Sequence, residues 1–582
     1  MSGTAKQYHQ VIPLQTKTLT KSFLFPHRRR AAYASLAIGL VLSCIVRATA
    51  QSSMTPSSMP RLVEENGRHA LMVDGAPYLI LGAQANNSSN YPASLPKIWP
   101  ALQQLGANTL EIPVAWEQIE PEESRFDFTY VDTLLEQARE NNVRLILVWF
   151  GTWKNTSPAY APGWVKFNNA RFPRMKRADG TYVNCLSPFG ETTREGDKAA
   201  FVALMRHIKN VDSDQHTVIM VQVENEAGTY GLVRDYSERA NQAYNAPVPK
   251  AILKAMPAFA GGKATGSWPE VFGPYADEYF HAWAIASYVE EIAKAGRQVY
   301  DLPLSMNNAL RDPLTPLAPW HSDFASGGPT YDVISLYKAA APHIDLIGPD
   351  IYLADSKKFE TVLKQFHRAD NALYVPEMGN GAEFARYAFS ILGQQGLGLS
   401  PFGMDFTGYS NFPLGAKTAD AAMIEPFAKI YALFKPIARE WARLSFDGKV
   451  YGVSERDDHA PQILDLGDIK ATVTYREWQF GEKEAFPNLK DLPAGTEIPT
   501  GGVALARLSD TQFLIVGAHA RIKFDGAGKL KDNPVIFDRV EEGHFDTKGQ
   551  WVFERMWNGD QTDYGLNFTD QPIVLKVSLR TY

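Results

Sequence analysis

Over the first two thirds of the chain, apolar runs of strand length alternate with amphipathic stretches of helical period. In one stretch, apolar residues fall at Val131, Leu134, Leu135 and Ala138, the spacing of one buried helix face. Eight strand–helix units in succession predict a (β/α)8 TIM barrel, of fold class α/β, over residues 61–444. The predicted strands are residues 78–83, 108–116, 143–149, 217–226, 302–307, 344–348, 372–376 and 398–402. A long loop, rich in Pro, Gly and Ala, is predicted over residues 227–275.

The pattern changes after residue 444. Helical periodicity disappears, and short β-rich runs follow one another, separated by turn sequences such as Asn558-Gly559. This pattern of short strands and turns predicts a C-terminal all-β sandwich domain over residues 445–582. Its predicted strands are residues 469–475, 503–508, 513–522, 535–540, 550–556 and 573–579.

The first 50 residues have the layout of a secretory signal peptide. A basic cluster at 28–30 precedes an apolar run at 31–46, and Ala48-Thr49-Ala50 fits a cleavage site. Residues 51–60 are rich in Ser, Met and Pro and are predicted to form a flexible lead-in. We therefore expect a periplasmic or secreted protein without a membrane span, with lipidation of Cys44 as an alternative.

Charge and cysteine content narrow the possible partners. The net charge is −6, and the first 50 residues carry seven Lys and Arg but no acid, so the remaining chain carries −13. Such a chain has no electrostatic reason to bind nucleic acid or an anionic membrane. Only Cys185 remains beyond residue 50, which leaves no intramolecular disulfide.

The sequence has no HExxH motif, cysteine pair or phosphate loop, so we expect neither a metal nor a cofactor. The chain can form an oligomer or remain a monomer.

Two predicted strands end in glutamates. The fourth ends in Glu224-Asn225-Glu226, and Glu377 follows the seventh. Both ends belong to the active face of a barrel, and these two strands lie across its mouth from each other. Glycoside hydrolysis needs such a pair, with carboxyl groups ~5–5.5 Å apart when the anomeric configuration is retained. We expect a raised pKa for Glu226 as the acid and an ionised Glu377.

Two motifs resemble those of the family 35 β-galactosidases, which belong to the clan of retaining glycosidases built on (β/α)8 barrels. Residues 222–226 (Gln-Val-Glu-Asn-Glu) resemble the end of the family's fourth strand. Residues 108–111 (Asn-Thr-Leu-Glu), Trp116 and Glu120-Pro121 resemble the signature of its second strand. The resemblance covers residues 75–410 and implies an oligosaccharide or polysaccharide substrate.

The resemblance implies that Glu226 is the general acid/base, that Glu377 is the nucleophile, and that Asn225 contacts the sugar 2-hydroxyl. Tyr352, after the sixth strand, is expected to donate a hydrogen bond to Glu377 or else to form an aromatic lid. The chain is also rich in aromatic residues, with 12 Trp and 25 Tyr, and sugar rings pack against aromatic faces. The remaining candidate substrate-binding residues are Trp116, Trp153, Asn86 and Glu111.

The chain departs from the family pattern at positions whose side chains bind galactose in the family. Pro113 replaces a tyrosine, Glu117 and Ile119 replace an asparagine and a histidine, and extra residues follow Glu226 before Tyr230. We predict a retaining, exo-acting β-galactosidase that acts on oligosaccharides or plant polysaccharide side chains. The alternatives are a retaining β-glycosidase specific for glucosides, xylosides or arabinosides, and a catalytically dead barrel that binds carbohydrate.

Overall fold

The computed structural model describes residues 58–317, 324–477, 492 and 496–582. The predicted signal peptide and most of the predicted lead-in therefore lie outside the described residues. Within the described part, no helix is long and apolar enough to cross a membrane.

Eight parallel strands close into a barrel in chain order, each pairing with the next and the eighth with the first. Their buried, apolar composition explains why the chain folds this way, because both faces of a barrel strand are covered. The predicted α/β barrel is confirmed. The strands are β1 Ile80–Gln84, β2 Thr109–Ala115, β3 Arg144–Lys154, β4 Val218–Asn225, β5 Leu304–Ala309, β6 Leu346–Ile351, β7 Val375–Met378 and β8 Gly398–Pro401.

Helices connect the barrel strands and bury one face against them. The predicted face at Val131, Leu134, Leu135 and Ala138 is buried, as expected. The α-helices are Leu95–Leu105, Trp116–Ile119, Thr129–Glu140, Gly163–Lys166, Glu191–Asp212, Glu238–Asn245, Lys250–Ala255, Trp268–Phe272, Ala276–Val299, Ile334–Ala340, Ser356–Phe366, Ala382–Ala385, Tyr387–Gly393, Ala421–Phe434 and Ala438–Phe446. Short 3-10 helices cover Gly273–Tyr275, Lys435–Ile437, Gly528–Leu530 and Gly559–Gln561.

Two segments of the barrel differ from the sequence prediction. Residues 227–275 were expected to be a long loop, but they contain three short helices. Ser237 caps the first by accepting a hydrogen bond from Ala240 N, and Ser267 forms a capping box with Glu270 on the third. Strand β3 continues five residues past its predicted end at residue 149, through Gly151, and so reaches further over the barrel mouth.

Small antiparallel sheets flank the barrel. Three strands precede it, and one hairpin interrupts the segment between β3 and β4. The strands of the first sheet are Arg61–Glu65, Arg68–Val73 and Ala76–Pro77, and those of the hairpin are Arg174–Lys176 and Tyr182–Leu186.

After the last barrel helix, the chain forms two antiparallel sheets around one apolar core that includes Val473, Leu505, Ile515 and Leu575. The C-terminal all-β region is thus confirmed. The six-stranded sheet is formed, in spatial order, by Val450–Ser454, Gly502–Arg507, Gln512–Ala518, Ile573–Thr581, Val535–Phe545 and Trp551–Met556. The four-stranded sheet is formed by Gln462–Asp465, Ile469–Tyr475, Ala520–Gly526 and Leu566–Phe568.

The predicted single strand over residues 513–522 is wrong. The run divides at His519, whose φ of 46° turns the chain, and its two halves belong to different sheets. Apolar residues on both sides of the break hid it in the sequence.

The barrel and the β region share a packed surface. Helix Tyr387–Gly393 lies against strands Val450–Ser454 and Gly502–Arg507. Gly393 permits this approach, because a Cβ there would lie 2.3 Å from the Cα of Gly452. The domain bounds at 60, 444 and 582 remain predictions.

Candidate active site

A cavity of about 540 Å³ opens at the carboxyl ends of the barrel strands. That is the end at which barrel enzymes bind their substrates. Polar side chains from four different strand ends line it. They include Lys154 and Asn155 at the end of β3, Glu226 after β4, Asp350 and Tyr352 at the end of β6, and Glu377 in β7.

Three carboxyl groups converge in this cavity. One carboxylate oxygen from each of Glu226, Asp350 and Glu377 lies within 4.8 Å of the other two. The three side chains are almost completely enclosed, because Glu226 is 9% exposed, Glu377 6% and Asp350 3%. Carboxylates this close cannot all be ionised at low cost, so the site holds at least one proton near neutral pH.

Asp350 is the deepest of the three acids. Its Oδ2 accepts a hydrogen bond from Asn307 Nδ2 at 2.7 Å. Burial raises the pKa of Asp350 well above its usual range, and the charges of Glu377 and Glu226 raise it further. Asp350 follows the predicted sixth strand, residues 344–348, but the sequence prediction assigned it no role.

Glu377 also departs from the expectation of a fully ionised nucleophile. Burial, followed by the charge of Glu226, raises its pKa to about 7. Lys154, the hydroxyl of Tyr352 and the side chain of Gln84 act in the opposite direction and lower this pKa. The Tyr352 hydroxyl donates to Glu377 Oε1 at 2.5 Å, the contact expected from the sequence.

Glu226 is held by groups that the sequence prediction missed. Asn155 Nδ2 donates to Glu226 Oε2 at 2.5 Å, and Lys154 Nζ lies 4.0 Å from the same oxygen. The backbone N–H of Glu226 donates to Asn307 Oδ1 at 2.7 Å. Lys154 and Asn155 were missed because the predicted third strand ended at residue 149.

Asn225 lies beside these acids and is fully buried. Its Oδ1 accepts hydrogen bonds from Asn307 Nδ2 at 3.1 Å and Gln222 Nε2 at 3.3 Å. Among the described residues, its Nδ2 has no partner. A buried amide donor without a partner is costly, so this N–H group is suited to a ligand hydroxyl.

Two predicted sugar-stacking residues are placed elsewhere, and this corrects the prediction. Trp116 is completely buried, donates to Glu120 Oε2 at 2.9 Å and packs edge-on against Trp164. Trp153 is also completely buried and donates to the carbonyl of Leu186 at 3.1 Å. Neither residue is among those that line the cavity.

Asn86 and Glu111 also require correction as direct substrate contacts. Asn86 donates to Asp405 Oδ1 at 3.0 Å, and its neighbour Asn87 lines the cavity instead. Glu111 is fully buried in the barrel interior, where it accepts a hydrogen bond from the Tyr374 hydroxyl at 2.7 Å. Burial raises the pKa of Glu111 to about 8, so this acid adds little negative charge beneath the site at neutral pH.

Among the described residues, Glu226, Asp350 and Glu377 form the group with the spacing of metal ligands. Their surroundings supply hydrogen-bond donors and a cation instead. Asn155, Tyr352 and Asn307 each donate to one of these carboxyl groups, and Lys154 places its ammonium group nearby. The arrangement is that of a proton-handling acid cluster.

Residues 93–288 match the family model of the family 42 glycoside hydrolases, described as β-galactosidase. The matched segment runs from the first barrel helix to the helix that precedes β5, and it contains Asn225 and Glu226. Over these residues the chain is similar to the β-galactosidases of that family. The resemblance to family 35 is not confirmed, because the match is to family 42. Residues 427–569 match a domain of unknown function, DUF5597.

Solved structures with a similar fold include two β-galactosidases. The enzyme from Bacillus circulans sp. alkalophilus has 14% identity and a TM-score of 0.45, covering 63% of this chain and 57% of its own. The enzyme from Rahnella sp. R3 has 13% identity and a TM-score of 0.44, covering 67% and 62%.

The catalytic domain of a β-amylase from Paenibacillus polymyxa matches with 14% identity and a TM-score of 0.41, covering 55% of this chain and 91% of its own. Similarity this low supports no conclusion about the substrate. The chain spans about 60% of the length of the two β-galactosidase structures. A search of curated proteins finds none that matches this chain.

Proposed function

We propose that this protein is a retaining, exo-acting β-galactosidase that removes terminal β-D-galactosyl residues from oligosaccharides or plant polysaccharide side chains. The observation that carries the proposal is the approach of Glu226 and Glu377 to within 4.8 Å between carboxylate oxygens, in a cavity at the barrel mouth. Retaining glycosidases place these groups ~5–5.5 Å apart, whereas inverting enzymes separate them by ~6.5–9.5 Å to admit a water molecule.

In the first step, Glu226 donates its proton to the glycosidic oxygen while a Glu377 oxygen attacks the anomeric carbon. The aglycone leaves with that proton, and a covalent glycosyl ester forms on Glu377. In the second step, Glu226 removes a proton from water, which displaces Glu377 from the anomeric carbon. Each carboxyl group thus returns to its starting state.

The neighbouring groups fit these roles. Tyr352 donates to Glu377 and Lys154 places a positive charge near it, and both favour the ionised form that attacks. Asn225, whose Nδ2 has no partner among the described residues, is expected to donate to the sugar 2-hydroxyl, a contact that strengthens as positive charge develops on the ring. A proton held on Asp350 removes one negative charge from between the two glutamates.

Galactose as the sugar rests on the family match over residues 93–288. The test is a panel of nitrophenyl β-glycosides, with the anomer of the first product followed by NMR. We expect the highest kcat/KM on the β-galactoside, with β-galactose released first. Preferred hydrolysis of a glucoside, xyloside or arabinoside would replace the sugar, and an initial α-product would exclude retention.

The catalytic roles are tested by Glu377→Ala and Glu226→Ala. Loss of the nucleophile is expected to lower kcat by about 10⁴-fold or more while the variant still binds galactosides. Hydrolysis that persists in Glu377→Ala would contradict its assignment. If the wild type binds oligosaccharide without hydrolysing it, the protein is a carbohydrate-binding barrel without catalytic activity.

Export to the periplasm or medium is also part of the proposal, and N-terminal sequencing of the mature protein tests it.

A further inference from the structure

Two buried acids next to the site have no part in the proposed reaction. Glu224 lies in β4, two residues before Glu226, and Asp197 lies in helix Glu191–Asp212. Glu224 is 1% exposed and Asp197 is completely buried. The described residues provide no ion pair to compensate either carboxyl group. A buried carboxylate without a cation is costly, so these two side chains require an explanation.

The two acids meet at one backbone amide. Thr152 N donates both to Asp197 Oδ2 at 2.9 Å and to Glu224 Oε1 at 3.1 Å. Burial raises the pKa of both acids, and the adjacent charge of Asp197 raises that of Glu224 further. Two carboxyl groups in this position share one proton, which makes them a hydrogen-bonded pair with a single negative charge.

This pair fixes the end of β3. Glu224 Oε2 accepts a hydrogen bond from Trp153 N at 2.7 Å, and Asp197 Oδ2 accepts one from the Thr152 hydroxyl at 2.6 Å. The pairing register of β3 with β4 shifts between Trp149 and Lys154, so the regular ladder is interrupted there. The two carboxyl groups supply the acceptors that an irregular strand end would otherwise lack.

The fixed segment leads directly to Glu226. Asn155 follows it, and its backbone N–H donates to the carbonyl of Asn225 at 2.9 Å. The Asn155 side chain then donates to Glu226 Oε2. One continuous set of contacts therefore runs from the buried pair, through residues 152–155, to the proposed acid/base.

The backbone of β4 is strained at the same place. Glu224 has φ of 63° and Glu226 has φ of 45°, values in the left-handed region that residues with a Cβ rarely adopt. Such a conformation is unfavourable for a residue with a Cβ and persists only where surrounding contacts hold it. The bonds from residues 152 and 153 to the Glu224 carboxyl provide such contacts on one side of Asn225.

We propose that the buried Glu224–Asp197 pair is a positioning unit that fixes the end of β3 so that Asn155 holds the Glu226 carboxyl towards the leaving group. The inference rests on the proposed role of Glu226 as acid/base. Glu224 and Asp197 touch neither the substrate nor the reacting atoms. Their effect on the rate is exerted through Asn155.

The test compares aryl β-glycosides whose leaving groups differ in acidity. A poor leaving group needs proton donation by Glu226, whereas a good one departs without it. We expect Glu224→Ala to lower kcat/KM by about 100-fold on the poor leaving group and by less than about 5-fold on the good one. In Glu224→Gln the amide oxygen can accept from Trp153 N and the amide nitrogen can donate to Asp197. Thr152 N loses its bond to residue 224 but keeps its bond to Asp197 Oδ2, so the activity should stay within about 5-fold of wild type.

Asp212→Ala is the matched control, because Asp212 holds the opposite end of β4 by accepting a hydrogen bond from Val218 N at 2.8 Å. This control is expected to lower stability and to affect both leaving groups equally. If Glu224→Ala does not fold, Thr152→Val, which removes one hydrogen bond to Asp197, should show a smaller loss with the same leaving-group dependence.

Equal losses on both substrates in a folded Glu224→Ala or Thr152→Val variant would overturn the positioning role. Glu224→Gln as impaired as Glu224→Ala would overturn the shared proton. The proposed function fails in a different way. If Glu226→Ala shows no dependence on the leaving group, Glu226 is not the acid, whatever the Glu224 variants do.

Discussion

The Tyr352 hydroxyl and Glu377 Oε1 are joined by a hydrogen bond of 2.5 Å between the ends of β6 and β7. This bond lowers the pKa of Glu377, which burial and the charge of Glu226 raise to about 7. Tyr352→Phe should therefore raise the Glu377 pKa and move the acidic limb of the kcat/KM profile to higher pH. Hydrogen bonds to charged groups contribute about 1.5–3 kcal/mol, so kcat should fall by roughly 10- to 100-fold.

Tyr431→Phe is the control for this prediction. The Tyr431 hydroxyl also donates inside the barrel, to the carbonyl of Gly82 at 2.9 Å, but it does not contact Glu377. Its loss should lower stability without moving the acidic limb. An acidic limb that stays in place in Tyr352→Phe would show that this hydroxyl does not set the ionisation of Glu377.

Lys154 is expected to assist both glutamates through its charge. Its ammonium group lies 4.0 Å from Glu226 Oε2 and lowers the pKa of Glu377. Lys154→Met removes the charge but keeps much of the side-chain volume, so the acidic limb of kcat/KM should move to higher pH. Lys154→Arg keeps the charge and should shift the limb less. Identical pH profiles for wild type and Lys154→Met would contradict this role.

The two glutamates of the proposed catalytic pair could be predicted because their positions follow from local sequence. A buried apolar run that ends in polar residues predicts a barrel strand and its active-face end, and this argument placed Glu226 and Glu377 on β4 and β7. Lys154 and Asn155 could not be predicted in the same way. They depend on an irregular continuation of β3, which is stabilised by distant acids rather than by its own residues.

Trp116 and Trp153 show a second limit on predicting the site from the sequence. Both faces of a barrel strand are buried, so hydrophobicity does not distinguish a ring at the cavity from one packed behind the strand. Trp116 and Trp153 lie near strand ends, as predicted, but their N–H groups have partners away from the cavity. The role of Asp350 was equally hidden, because it depends on the convergence of β4, β6 and β7.

Asp350 is expected to be protonated while the enzyme is active. Its pKa is raised well above the usual range by burial and by the charges of Glu377 and Glu226. The folded protein retains this proton where the unfolded chain has released it. Stability therefore falls as pH rises from the ordinary carboxyl range through the folded pKa, by at most about 1.4 kcal/mol per pH unit for one proton.

Asp350→Asn makes this position permanently neutral and preserves an acceptor for Asn307. We expect its activity at neutral pH to stay within about 10-fold of wild type and the alkaline decline of kcat/KM to become shallower. Its melting temperature should also depend less on pH between 5 and 9. Asp350→Ala is the comparison, because it leaves Asn307 Nδ2 without its 2.7 Å partner and should lose stability at every pH. Equal pH dependence in wild type and Asp350→Asn would show that Asp350 does not hold the proton.

Arg386 connects the barrel to the β region and is expected to support the site from there. Its side chain is 2% exposed and donates to Asp457 Oδ1 at 2.8 Å, to the carbonyl of Pro499 at 3.2 Å and to that of Ala354 at 3.1 Å. Arg386→Met removes this donor from all three acceptors, although the Ala354 carbonyl keeps its hydrogen bond from the Tyr387 hydroxyl at 2.6 Å. Because Asp457 is partly exposed, we expect a loss of about 2–4 kcal/mol in the free energy of unfolding.

We also expect kcat to fall in Arg386→Met. Ala354 lies two residues after Tyr352, so a shift of this segment would move the Tyr352 hydroxyl relative to Glu377. Urea unfolding and kcat at a temperature well below the transition measure the two effects separately. Arg368→Met is the matched control. Arg368 pairs with the half-exposed Asp370 at 2.7 Å on the surface, and its loss should lower the free energy of unfolding by less than about 1 kcal/mol and leave kcat unchanged.

If the two variants lose equal stability, the Arg386 contacts do not hold the β region to the barrel. If Arg386→Met is destabilised but keeps full kcat, the β region supports the fold without positioning Tyr352.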